Sequence, residues 1–408
     1  MSAPRRVVVA GASLAGLRAV EALRRGGFDG RITVLGAEPH LPYDRPPLSK
    51  EVLAGKWDPG RAALRAPESY AALAADFRLG TPATGLDLAG RAVLAGAERV
   101  PFDALVVATG AAPRRLPGRA PAGVHALRTL EDCLAIRAAF DAGARVAVVG
   151  AGFIGGEVAA TARARGLEVT LVEALPVPLE RQCGAAIGGL LASLHRDFGV
   201  DVRLGVGVDG FEGGSRVEAL RLADGSRVPA DVVVVGVGVA PATGWLEGSG
   251  LALEDGVRCD DRCRASAPGV FAAGDVARWW NPRYGEAMRI EHWTHATEQA
   301  DAAVAALLAG EGPSEPFAPV PYFWSDQHGV KIQLAGRIRP GDAMRVVDGA
   351  VADRRFVAVF GREGRLTAAL GWSRPRLVMQ YRRMLREGAS FEEALKGPGS
   401  QPGRGEGA

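Results

Sequence analysis

The sequence predicts an α/β protein with two parallel-sheet domains and a third, C-terminal domain of α+β type. Three observations predict it. The run Val7-Val8-Val9-Ala10-Gly11-Ala12-Ser13-Leu14-Ala15-Gly16 is a buried strand turning through glycines into a helix. Val146-Ala147-Val148-Val149-Gly150-Ala151-Gly152-Phe153-Ile154-Gly155-Gly156 repeats that arrangement. After each run come a second strand leading to an acid and, later, an apolar strand that stops at glycine. This is the βαβ repeat of a doubly wound, Rossmann-like sheet. Its glycines let the backbone approach a pyrophosphate, and the helix N-terminus favours the charge. One copy carries little weight. Two copies in matching contexts imply two bound dinucleotides, with electrons passing between them.

Taken in order, the first unit has Leu14, Leu17, Val20 and Leu23 at helical spacing, then the strand Arg31 to Leu35. A long excursion comes next, and the strand Asp103 to Val107 leads to Thr109-Gly110. Arg115 to Gly123 is rich in proline and glycine and reads as a linker. The second unit spans Val146 to Glu173 and closes on Asp231 to Gly238. Gly269 to Asp275 is a short strand into an acidic turn, expected to return to the first domain. A second linker lies near Glu311 to Pro316; beyond it Val330 to Gly336 and Arg355 to Phe360 alternate as strands, and Leu377 to Leu385 reads as a helix. The expected domains are residues 1–112 with 240–316, residues 113–239, and residues 317–408, with 396–408 disordered.

At 408 residues and 48% hydrophobic content, several cores can form, and a net charge of +3 is mild. Lys50, Lys56, Lys331 and Lys396 are the only lysines, and the abundant arginine, with 55 glycines, fits the codon bias of a GC-rich genome. It does not mark a nucleic-acid surface. No apolar run is long enough for a bilayer, and no signal peptide precedes the first strand. Cys133, Cys183, Cys259 and Cys263 form no disulfide framework and no metal-ligand spacing, and Cys259 and Cys263 sit in a stretch that reads as a strand approaching Gly274. The expectation is a cytoplasmic protein with reduced thiols, a monomer or homodimer, with no nucleic-acid or membrane partner.

Taken together with the segments Tyr43-Asp44-Arg45-Pro46-Pro47-Leu48-Ser49-Lys50 and Phe323-Trp324-Ser325-Asp326-Gln327, the chain resembles the FAD-dependent NAD(P)H reductases of the glutathione-reductase structural superfamily. More narrowly it resembles the ferredoxin reductases of cytochrome P450 and aromatic-ring dioxygenase systems, the putidaredoxin reductase type. The resemblance assigns Gly11, Ser13, Leu14, Ala15 and Gly16 to the FAD pyrophosphate, with Ser13 replacing the commoner glycine. It assigns Glu38 to the flavin adenosine ribose and the backbone of Ala83 to the adenine. Glu38 also reads as an ordinary loop glutamate. Arg45, Lys50 and Arg128 would attend the flavin, with Lys50 near its reactive N5 and Glu157 paired to Lys50. A glutamate early in a helix is also stabilised by the dipole alone. Thr109 and Gly110, and Gly236 and Gly238, match the two crossing turns. Gly274-Asp275 matches the ribityl-binding aspartate, and Glu291-His292-Trp293 the flavin pyrimidine edge, although any tryptophan is also a natural core residue. Gly150, Gly152, Phe153, Ile154 and Gly155 would cradle the NADH pyrophosphate. Glu173 lies where an acid reads ribose hydroxyls and repels a 2′-phosphate, which favours NADH over NADPH, while Arg181 could instead accept a phosphate.

Disulfide reductases of the superfamily carry cysteines in the excursion, yet His40 to Gly55 has none. The flavin would therefore pass its electrons directly to an external carrier. The resemblance implies hydride transfer from NADH to FAD, then single electrons to an acidic [2Fe-2S] ferredoxin, steered by candidates Arg65, Arg289, Arg337 and Arg339. A rubredoxin reductase, an NADH oxidase or a redox-sensing protein resembling apoptosis-inducing factor are the alternatives. The chain departs from the usual pattern at Ala242, Gly244 and His295 as well.

Overall fold

The computed structural model describes residues 4–398. In chain order its main elements are β1 (Arg6–Ala10), α1 (Leu14–Arg25), β2 (Arg31–Leu35), β3 (Ala75–Arg78), β4 (Ala104–Val107), α2 (Leu130–Asp141), β5 (Val146–Val149), α3 (Phe153–Ala164), β6 (Val169–Glu173), α4 (Glu180–Asp197), β7 (Asp201–Leu204) and β8 (Val232–Val235). Then come β9 (Val270–Ala272), α5 (Trp293–Ala309), β10 (Tyr322–Gln327), β11 (Val330–Gly336), β12 (Ala343–Ala350), β13 (Arg355–Arg362), β14 (Arg365–Trp372), α6 (Pro375–Glu387) and α7 (Phe391–Lys396). The chain divides into two compact units: residues 1–44, 59–112 and 239–319, and residues 45–58, 113–238 and 320–408.

In the first unit the parallel strands run β9-β4-β1-β2-β3. Val7 to Ala10 are fully buried, because a central parallel strand is covered on both faces and reads as one apolar run. Helix α1 turns Leu17, Val20 and Leu23 into that core and packs beside α5. Strand order reverses at β1, which pairs with β2 on one side and β4 on the other. Such a switch point leaves a crevice at the carboxyl ends of the strands, where ligands bind. At the opposite ends, Asp103 accepts the amides of Arg5 and Arg6 and pairs with the Arg6 guanidinium at 2.7 Å. That guanidinium, with the two amides, holds the Asp103 carboxyl down to about 2.

The second unit repeats the plan as β7-β6-β5-β8, with Val124–His125 parallel beside β8. It also carries the antiparallel sheet β10-β11-β14-β13-β12. One face, with Ile332, Phe356, Leu370 and Trp372, packs on Cys183, Ile187 and Leu191 of α4. The other, with Val357, Val359 and Ala369, packs on Val378, Tyr381 and Leu385 of α6. Helix α6 starts with Pro375 at its first turn and stops at Gly388 in the left-handed region. The excursion segment 45–58 is bound to this unit: Thr161 Oγ1 donates to the Ser49 carbonyl at 2.8 Å, and the Cys133 thiol to that of Leu48.

Two local features differ from the sequence reading. Cys263 lies in a turn with φ +62°, not in a strand; only Cys259 belongs to the short strand Val257–Cys259. Lys396, expected to open a disordered tail, ends α7, which the Ser390–Glu393 capping box secures; the expected tail from residue 399 onward lies outside the described residues.

Candidate functional site

The turn between β1 and α1 is shaped by close backbone approach. Gly11 has φ +118°, and a Cβ there would lie 2.1 Å from the Ala108 carbonyl oxygen. A Cβ on Gly16 would lie 1.8 Å from the Gly11 oxygen. Ser13 is the N-cap with φ −120°, extended backbone that serine adopts without strain. Its side chain does not cap the helix, and the first turn of α1 holds no acid. Leu14 and Ala15 open the helix, so its first amides point out of the turn without an intrahelical acceptor. This arrangement fits a bound anion of the pyrophosphate kind.

Thr109–Gly110 follows β4 and Gly274–Asp275 follows β9, at the carboxyl ends of the strands. Thr109 donates to the Ala242 carbonyl at 2.9 Å, and the Ala242 amide returns to the Gly110 oxygen at 2.9 Å. The departure at Ala242 thus engages through backbone alone, whatever its side chain; Gly244 begins a single 3-10 turn. Gly274 has φ +79° and lies against Ala15, and its amide donates to the Gln299 side chain at 2.9 Å. Asp275 comes directly after it, half-buried. His292 caps α5, and burial pushes it down to about 4. Trp293 opens α5, is 36% exposed as a residue, and donates Nε1–H to Asp44 at 2.7 Å. Glu291 pairs with Arg289 at 2.6 Å. Tyr43 donates to the Glu38 carboxylate. Ala83 is half-buried at the core edge. His295 is buried against Trp279 and Phe317, where burial lowers it to about 3.

The second cradle has the same construction. Gly150 has φ +96°, and its Cβ would meet the Gly236 oxygen at 2.4 Å; a Cβ on Gly155 would lie 1.9 Å from the Gly150 oxygen. Gly152 is the N-cap of α3, with no side-chain cap and no acid in the first turn. Phe153 packs on Phe323 at 4.3 Å between ring centroids, and Ile154 is exposed. Gly238 has φ +94°, and its carbonyl accepts the Arg114 amide. Glu173 accepts the Ala151 amide at 2.7 Å and the Leu175 amide at 2.9 Å, one on each oxygen. Each oxygen keeps a lone pair for a ribose diol. Arg181 is exposed at the start of α4, and no ion pair joins it to Glu173 among the described residues.

A third cluster in the second unit surrounds Glu157. One carboxylate oxygen accepts Lys50 Nζ at 2.5 Å and Ser49 Oγ at 2.5 Å. The other accepts Ser325 Oγ at 2.8 Å and the Asp326 amide at 3.2 Å. Glu157 is 5% exposed, so the four donors replace the water it has lost. The sequence reading singled out Lys50 and Glu157 and missed Ser49 and Ser325, which lie inside the two segments that carried the resemblance. Arg45 donates to the carbonyl of Arg128, so those two expected residues also meet. Arg65 is paired with Glu21, and Arg289 with Asp255 and Glu291.

The four cysteines are buried and unjoined. Burial pushes Cys133 up to about 11, Cys183 and Cys259 up to about 12, and Cys263 well above the ordinary thiol range. Thiols so held are inert towards disulfide exchange.

The pyridine nucleotide-disulphide oxidoreductase profile matches residues 5–300, and the reductase C-terminal profile matches residues 322–397. The chain is 35% identical over 411 residues to putidaredoxin reductase CamA of Pseudomonas putida, spanning 98% of this chain and 96% of that protein. The chain belongs to the putidaredoxin reductase type of this oxidoreductase family. It is also 38% identical to the ferredoxin reductase component of chlorobenzene dioxygenase from Cupriavidus sp. (strain PS12), over 95% of this chain and 94% of that one. Among solved structures, the covalent putidaredoxin reductase–putidaredoxin complex aligns with a TM-score of 0.92 at 34% identity, covering 98% of this chain and 97% of that one. The broader family is named for disulphide chemistry, and in this putidaredoxin reductase relative the inert cysteines leave that chemistry without a thiol. The two cradles fit the family's dinucleotides.

Proposed function

We propose that the chain is an NADH:ferredoxin reductase, passing electrons from NADH through FAD to a one-electron iron–sulfur carrier. One observation carries the reading: two uncapped helix N-termini over glycine cradles stand in a chain whose every thiol is buried and inert. FAD, when bound, takes up a hydride as an electron pair and returns the electrons singly, which lets a two-electron donor serve a one-electron carrier. The protein's part is to bind and orient. Residues 1–112 with 240–316 are the FAD-binding domain: Gly11 to Gly16 hold the pyrophosphate, Glu38 the adenosine ribose, Ala83 the adenine, Asp275 the ribityl chain and Trp293 the pyrimidine edge. Thr109 and Gly110 line the crossing turn there. Residues 113–239 bind NADH, with Gly150 to Gly155 on the pyrophosphate, Gly236 and Gly238 beside it, and Glu173 selecting the unphosphorylated ribose. Residues 317–408 form an interface domain. Lys50, held by Glu157, sets the charge at the flavin's reactive edge with Arg45 and Arg128 in support.

The partner is an acidic [2Fe-2S] ferredoxin serving a P450 or Rieske-type oxygenase in the cytoplasm, with Arg65, Arg289, Arg337 and Arg339 as the steering candidates. Anaerobic stopped flow tests the reading. NADH should bleach the flavin rapidly, NADPH slowly, and oxidised ferredoxin should restore the colour. Restoration by oxygen but not by ferredoxin would identify an oxidase and overturn the proposal.

A further inference from the structure

The donors on Glu157 do not end at Ser325. Gln327 Nε2 donates to Ser325 Oγ at 3.1 Å, leaving the serine proton for Glu157. Gln327 Oε1 lies 3.0 Å from His195 Nε2, and His195 Nδ1 lies 3.0 Å from His328 Nε2. An amide oxygen only accepts, so His195 must carry its proton on Nε2. Neutral His195 then accepts on Nδ1, and His328 must donate from Nε2. Every hydrogen bond in the series therefore points the same way, from His328 through His195, Gln327 and Ser325 to the Glu157 carboxylate. Burial keeps both rings neutral, with His195 and His328 lowered to about 4. Phe198 stacks on the outer face of His328 at 4.3 Å and fixes the far end.

We propose that His195 and His328 are positioning residues, which through Gln327 and Ser325 orient the Glu157 carboxylate and so fix the Lys50 ammonium. The series does not transfer protons, because a glutamine amide is neither acid nor base at neutral pH. It sets direction: each donor polarises the next, and a flipped Gln327 amide would present Oε1 to Ser325 and draw the serine proton away from Glu157. Gly156 provides the room for this. A Cβ there would lie 2.7–2.8 Å from the Gln327 amide, so only glycine lets that side chain pass beside α3. Ser325, Gln327 and Gly156 thus serve Glu157 from two different elements, β10 and α3. The consequence for catalysis rests on the role proposed for Lys50; the orientation itself does not.

The scarcity of lysine supplies a direct readout, since Lys50 is one of four. In FAD-loaded protein carrying 13C,15N-lysine, the side-chain signal of Lys50 is assigned by its loss in Lys50→Met. His195→Leu should shift that signal and speed its ammonium exchange, leaving Lys56 and Lys396 unmoved. His195→Gln, which restores a donor near the Nε2 position, should recover most of the wild-type spectrum. Gly156→Ala, which displaces the far end of a flexible side chain, should reproduce the His195→Leu shift and stands in should His195→Leu fail to fold. Each disrupting variant should also slow flavin reduction by about tenfold. A Lys50 signal unmoved in the folded variants overturns the proposal. Lys50→Met itself reports on the other reading: wild-type reduction there would overturn the catalytic role of Lys50 and leave the positioning result to the spectra.

Discussion

Matched at Gly11 and Gly150, the two cradles share their turn features and differ in the side chains further along the helix and the second strand. Both turn through a positive-φ glycine, both have a second glycine whose Cβ would strike the first one's carbonyl, and both start an uncapped helix. Even the remote clamp is repeated: Arg145 and Asp231 do at β5 and β8 what Arg6 and Asp103 do at β1 and β4. The differences lie where chemistry is needed. Position 157 of α3 is a buried glutamate under four donors, whereas the equivalent Arg18 of α1 makes half-exposed pairs with Glu21 and Asp301. Glu173 takes the place in β6 that Gly36 occupies beyond β2, and the first unit's acid comes later, at Glu38. The shared part is the physics of holding a pyrophosphate. The unshared part is what distinguishes two ligands.

The comparison breaks most sharply at the glycines. Gly16→Ala should yield protein purified without flavin, and Gly155→Ala should keep flavin but lose reduction by NADH at least about a hundredfold. Each forces a methyl into a carbonyl at a cost of about 3 kcal/mol. Absorbance of the purified proteins and stopped flow decide it; flavin lost from both would mean that the cradles are not separately assigned. Next comes the pair Glu157→Gln and Arg18→Gln. The first leaves a buried ammonium without its carboxylate and should lower unfolding free energy by about 3 kcal/mol. The second removes half-exposed pairs and should cost less than about 0.5 kcal/mol. Urea denaturation compares them directly.

A smaller effect is expected at the acids. Glu173→Ala should raise the KM for NADH about tenfold and narrow the preference over NADPH, since it loses the diol acceptor and frees two amides. Unchanged nucleotide preference would remove Glu173 from recognition. The smallest concerns the clamps, where Asp103 and Asp231 are both held to about 2, each by its arginine first. Because the folded values lie below the unfolded one, the stabilisation is present above about pH 4 and is lost as pH falls towards 2. Solvent screening at these partly exposed carboxylates leaves about 1 kcal/mol each. Thermal unfolding of Asp103→Asn and Asp231→Asn between pH 2 and 5 should show equal losses of acid sensitivity; inequality would mean that the repeat is only geometric.

The fold class was legible because its signals are local. A glycine turn between an apolar strand and a helix lies within about a dozen residues and needs no tertiary knowledge. The Lys50–Glu157 pair was reached by resemblance, but the shell around it was not. Ser49 and Ser325 lie 108 and 168 residues from Glu157, and a serine has no periodicity to betray it. His195 carries no sequence signal of its own, and its purpose shows only once β10 brings Gln327 beside it. Cys263 was misplaced because proximity to the short strand before Gly274 suggested an extended stretch, while Asp260, Asp261 and Arg262 lead instead into a turn where Cys263 takes a positive φ. The ion pairs of Arg65 and Arg289 were equally hidden, since Glu21 and Asp255 are distant from them in sequence.

The membership of residues 45–58 has a bearing on modular exchange. The chain passes between its units at 44/45, 58/59, 112/113, 238/239 and 319/320, so neither unit is a contiguous stretch. A graft of residues 113–238 and 320–408 alone would transplant Glu157 without Lys50 and Ser49, leaving a buried carboxylate stripped of two of its four donors. A chimera meant to change nucleotide preference must carry that short strap with its acceptor, and natural recombination in such chains faces the same constraint.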